Sequence, residues 1–168
     1  AGSSASLWKY TGTGALTSAT NASGWSIART TMIKALESDQ ADVVIIQNGV
    51  DQAFRMAQDY SFDPLGNTNT SPPKTRAMTF YRDTLWGLSG NSLAFSEPIS
   101  SAYASAFKRD TNYFDIPVGT ERALVGTRDY GLIIFGSDKI YQLNPSIIPD
   151  PAKDKPELVL DMGCANGD

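Results

Sequence analysis

Three tight-turn signals recur along this chain at nearly even spacing, and they restrict its fold more than any other feature. Asn48-Gly49, Gly90-Asn91 and Gly136-Ser137-Asp138 each follow an apolar run and precede an apolar–polar alternation. The turns are centred near residues 48, 90 and 137, hence 42 and 47 residues apart. Gly and Asn between two such runs read as hairpins, because both accept the positive φ that a short reversal needs. A weaker fourth instance, Leu7-Trp8-Lys9-Tyr10 ahead of Gly12-Thr13-Gly14, lies 35 residues upstream of the first. A unit of about 40 to 50 residues with several strands cannot bury both faces of its own sheet, so neighbouring units must cover one another. The spacing therefore predicts an all-β fold of β-propeller-like blades of antiparallel strands, about three to four of them, forming a small or partial propeller. A β-sandwich with irregular hairpins is the alternative.

Period-two patterning and short apolar runs predict strands over 42–47, 50–57, 76–81, 85–88, 93–95, 121–127, 132–135 and 139–143. One stretch competes for helix. Ile27, Thr31, Met32, Ala35 and Leu36 fall at roughly helical spacing, although the β-branched Thr30-Thr31 pair weakens that reading. The chain accordingly divides into 1–40, an N-terminal strand with an irregular or short helical segment; 41–143, the propeller-type blades; and 144–168, a Pro-rich crossing segment and the start of a further strand. Long polar loops are predicted over 59–73, 97–112 and 144–156, and loops of that length in a small domain usually contact something.

Composition narrows the chemistry. The 168 residues include no histidine and one cysteine, Cys164, so Ser-His-Asp and Cys-His catalysis, Cys/His zinc sites and internal disulfides are all excluded within the chain. With 14 basic against 18 acidic residues the net charge is −4, and no basic stripe is visible, which argues against binding nucleic acid through its phosphates. No apolar run is long enough to span a bilayer. The opening Ala-Gly-Ser-Ala-rich residues lack the charged and apolar regions of a secretion signal.

Several motifs invite sharper readings. Leu158-Val159-Leu160-Asp161-Met162-Gly163-Cys164-Ala165-Asn166-Gly167-Asp168 looks like the first glycine-rich loop of S-adenosylmethionine methyltransferases, with alanine at the middle glycine. The strand–helix alternation of that fold is missing upstream, so a strand and a turn are expected. Asp51, Asp59, Asp63 and Glu97 are candidates for a carboxylate pair, but acids in turns are ordinarily solvated. The oxygen-rich stretch 59–67 has no regular calcium-ligand spacing. Asn21-Ala22-Ser23 and Asn69-Thr70-Ser71 fit the glycosylation triplet, which also arises by chance. Trp8, Trp25, Tyr81 and Trp86 are the candidate interface aromatics, with a place in the core as the plainer expectation.

The stretch Tyr81-Arg82-Asp83-Thr84-Leu85-Trp86, followed by Leu93-Ala94-Phe95-Ser96-Glu97-Pro98, resembles the propeller blades of tailed-bacteriophage tail proteins of the nozzle, hub and head-to-tail stabilisation type. Tyr113-Phe114-Asp115-Ile116, Ala123-Leu124-Val125-Gly126, and the hairpin from Leu132-Ile133-Ile134-Phe135 to Lys139-Ile140-Tyr141-Gln142-Leu143 continue the pattern. Met162-Gly163-Cys164 looks like the start of the next blade. The resemblance implies a non-enzymatic structural protein located in the virion tail, assembling as a homo-oligomeric ring beside other tail or portal-complex proteins. Viral DNA would be cargo passing through a channel, and no cofactor, metal or catalytic residue is implied. A carbohydrate- or receptor-binding β domain is the alternative function.

Overall fold

The computed structural model describes residues 4–5, 8–9, 17–18, 25–26, 28–36, 42–59, 61–65, 71–97, 107–108 and 110–161, and for the first three of these spans strand pairing alone. Every regular element among them is a β-strand. Four two-residue strands come first: β1 (Ser4–Ala5), β2 (Trp8–Lys9), β3 (Thr17–Ser18) and β4 (Trp25–Ser26), with β2 paired to β3 and β1 to β4.

Three four-stranded antiparallel sheets follow, each wound in chain order. Sheet I holds β5 (Thr31–Leu36), β6 (Asp42–Gln47), β7 (Phe54–Met56) and β8 (Phe62–Pro64). Sheet II holds β9 (Ala77–Tyr81), β10 (Thr84–Ser89), β11 (Ser92–Phe95) and β12 (Tyr113–Asp115). Sheet III holds β13 (Glu121–Thr127), β14 (Gly131–Gly136), β15 (Ile140–Leu143) and β16 (Glu157–Leu160). The three recurring turns fall at one equivalent place, between the second and third strand of each sheet. The fold is all-β, as the turn spacing predicts.

Two expectations need correction. The stretch with helical spacing is a strand over Thr31–Leu36, and it pairs along its whole length with β6. β-branched Thr31 and Ile33 suit that pairing, and the waiting apolar strand Asp42–Gln47 outweighs the weak local preference for helix. The first sheet thus begins before residue 41. The return strand predicted over 50–57 shortens to Phe54–Met56, because Asn48 to Asp51 are tied up in a turn of their own. The end of 144–168 forms β16, the last strand of sheet III, while Met162, Gly163 and Cys164 lie outside the described residues.

Side-chain alternation stacks the sheets in series. On sheet I, Ala35, Val43 and Ile45 point to one side, and they share an apolar cluster with Met78, Leu85 and Ala94 of sheet II. Ala77, Trp86, Leu88, Leu93, Phe95 and Phe114 leave the opposite face of sheet II and meet Leu124, Leu132, Ile134, Tyr141 and Leu143 of sheet III. The far face of sheet I carries Ile46 and Phe62, packed with Trp25 of β4. Sheet II is therefore covered on both faces at its centre, where Thr84 to Leu88 of β10 are all buried. The first strands lie side by side, β9 between β5 and β13.

Candidate functional site

The aromatics singled out by sequence sit mostly inside the stack. Trp86 is 1% exposed, with its ring 5.2 Å from that of Phe95 and 6.2 Å from that of Phe114. Its indole N–H donates to the Tyr81 carbonyl at 3.2 Å, which satisfies the one polar atom the burial would strand. Trp25 is also buried and lies 5.3 Å from Phe54, with its N–H directed to Thr30 Oγ1. Tyr81 is half-buried at the end of β9, with the Arg82 guanidinium 5.3 Å from its ring centre. Trp8 lies in β2, and its side chain is outside the described residues. A sugar-stacking platform needs open ring faces, and neither Trp25 nor Trp86 offers one.

The candidate carboxylates are dispersed and engaged. Asp51 accepts hydrogen bonds from the Ser26 N–H (2.6 Å), the Ser26 hydroxyl (3.0 Å) and the Asn48 amide (2.8 Å). Burial pushes its carboxyl up, but the bonds from Asn48 and Ser26 outweigh this and hold it below the ordinary carboxylate range. This carboxylate ties the turn after β6 to β4. Asp59 accepts from the Ser61 hydroxyl and N–H, Asp63 pairs with Arg55 at 3.2 Å, and Glu97 pairs with Lys108. Asp154 repeats the Asp51 device in the Pro-rich segment, accepting from the Ser146 N–H and hydroxyl and from the Asp150 N–H. Burial again raises its carboxyl, and these bonds again win, leaving it lowered.

The feature that converges from all three sheets is a cavity of about 520 Å³ at the entry ends of β5, β9 and β13. Arg29 and Thr31 line it from sheet I, Arg76 and Met78 from sheet II, and Glu121 and Arg122 from sheet III. Each sheet thus delivers one arginine to a common space. Arg122 occupies a register shift at the start of β13, where Glu121 faces Gly136 and Ala123 faces Phe135. An irregularity of this kind re-aims a side chain out of the ladder. Arg76 is fixed at its backbone, where its carbonyl accepts from the amide of the buried Gln47 at 3.0 Å. Its stem crosses Gly49, where a Cβ would lie 3.2 Å from Arg76 Cγ. The Glu121 carboxylate is partly spoken for, accepting from the Gly90 N–H at 3.1 Å.

No family model matches the sequence, and no curated protein or solved structure matches it either.

The cavity is not legible in the sequence by itself, although the sequence carries a signal. Arg29, Arg76 and Arg122 are 47 and 46 residues apart, the interval of the hairpin turns. Each arginine alone reads as a solvated surface charge, and the shared period has meaning only once the three strand starts are known.

Proposed function

We propose that this chain is a non-enzymatic structural protein of a tailed-bacteriophage virion tail, built of propeller-type blades and assembling as a ring. The observation that carries the reading is the serial stack: three four-stranded meanders in chain order, the middle one covered on both faces, with their first strands adjacent. A two-layer sandwich has no covered middle sheet, whereas radially repeated blades require one at every interior position. The residues that carry the tail-protein resemblance lie on equivalent strands of this stack, with Tyr81 to Phe95 in sheet II and Ala123 to Leu143 in sheet III.

The outer face of sheet III supports assembly. Cross-strand pairing aligns Ala123, Phe135, Ile140 and Leu160 in one row on the side away from sheet II. Val125 and Leu160 are 44% and 45% exposed, and Leu158 and Val159 on the edge strand are open as well. An apolar sheet face of this kind is ordinarily covered in a finished assembly, and cyclic closure is the common way to cover it in every copy at once. Neighbouring tail or portal-complex proteins would take the remaining contacts, with DNA as passing cargo.

Light scattering with negative-stain microscopy tests the proposal. A closed multimer is expected, reduced in mass by Val125→Glu combined with Leu160→Glu. A chain that stays monomeric at every concentration overturns it.

A further inference from the structure

We infer that the cavity between the entry ends of β5, β9 and β13 binds a small multivalent oxyanion, held by Arg29, Arg76 and Arg122. The inference uses only the stacking of the three sheets and is independent of the virion role.

The chain as a whole is acidic at −4, yet the cavity gathers three arginines against one glutamate. That glutamate also accepts a backbone N–H from Gly90 through one oxygen. Three guanidinium groups lining one space carry more N–H donors than the single carboxylate there can accept, which suits an anion with several oxygens. Guanidinium is also the side chain whose planar donors match phosphate and carboxylate oxygens two at a time.

The three side chains come from three separate sheets, at intervals of 47 and 46 residues. Local features accompany each: Arg122 lies at the register shift in β13, Arg76 is held by the Gln47 hydrogen bond and passes over Gly49, and Arg29 lies two residues ahead of β5. The volume of about 520 Å³ lies in the range that small ligands occupy and is far below what a nucleic-acid duplex needs. The ligand class is therefore a compact anion with several negative oxygens, such as a polyphosphate or a tricarboxylate.

Isothermal titration of the full chain with sodium tripolyphosphate at low ionic strength tests this, with citrate and a single-stranded oligonucleotide as parallel probes. Saturable binding of tripolyphosphate or citrate is expected, and whichever binds more tightly identifies the oxyanion type. Arg29→Gln, Arg76→Gln and Arg122→Gln are each expected to weaken it by about tenfold or more, since each removes a charge-assisted contact. All three arginines are exposed, so the variants are expected to fold, as circular dichroism would verify. Arg128→Gln, in an exposed turn of sheet III that does not line the cavity, is expected to leave binding unchanged. Failure of both small anions to bind overturns the inference, even if the oligonucleotide binds. An equal loss in Arg128→Gln, or undiminished binding in the three cavity variants, also overturns it.

Discussion

Gly126 of β13 stands directly against Tyr81 of β9, so that a Cβ on the glycine would lie 2.9 Å from the tyrosine Cβ. Its N–H reaches Thr79 Oγ1 at 3.4 Å, which brings the first strands of sheets II and III to close approach. The neighbouring atoms belong to the base of the tyrosine side chain, which cannot swing aside. Replacing a strand glycine by alanine often stabilises, but here the sign reverses. Gly126→Ala is expected to cost about 1–3 kcal/mol through overpacking, read as a lower urea midpoint at unchanged m-value.

Trp86 fills the seam between the same two sheets with Phe95 and Phe114. Trp86→Ala is expected to cost about 3–5 kcal/mol, the usual range for emptying an aromatic site in a core. Tyr130→Ala, at a position 64% exposed, is expected to change stability by no more than about 0.5 kcal/mol. Equal thermal shifts for the two variants would contradict the burial described for Trp86.

The β9–β10 turn has Arg82 at φ 50° and Asp83 at φ 55°, both in the left-handed region. That geometry suits a two-residue hairpin but strains ordinary side chains. Arg82 has a reason to stay, since its guanidinium donates to the Pro145 carbonyl at 2.7 Å. Asp83→Gly is expected to raise stability by about 0.5 kcal/mol, the strain relieved less the added freedom of the unfolded chain. Chemical denaturation of the single variant measures this.

Asp51 and Asp154 both have carboxyls held below their ordinary value in the folded chain. Folding therefore favours their ionised forms. The stability they add is complete above the unfolded carboxylate range and is lost as pH falls through the folded values. The urea midpoint is expected to stay level from neutral pH to about pH 5 and to drop below about pH 4. Asp51→Asn is expected to lower the midpoint at neutral pH and to make the acid drop shallower. A midpoint that stays level to about pH 3 would contradict this linkage.

Much of this architecture is legible in the sequence because the turns are chemically marked. Asn48-Gly49 and Gly90-Asn91 announce two of the three equivalent hairpins, and the strand limits 42–47 and 121–127 agree with β6 and β13. Thr31–Leu36 is ambiguous in sequence, because Met32, Ala35 and Leu36 satisfy helical spacing and only pairing with β6 decides the matter. The arginine cavity was less legible still. Its members are distant in sequence and individually ordinary, and only the stacking brings them to one place. Trp86 shows the reverse case, for nothing in its local sequence separates a ring presented to a partner from one sealed between two sheets.

The centre of sheet II is covered on both sides. Backbone amides there, such as those of Leu85, Trp86 and Leu88, lie behind a neighbour on either side, while those of sheet III have one such shield. Opening the middle layer requires first displacing a flanking one, so hydrogen–deuterium exchange should be slowest at the centre and quicken outward. The molecule is expected to open from its flanks, with its most protected amides in β10.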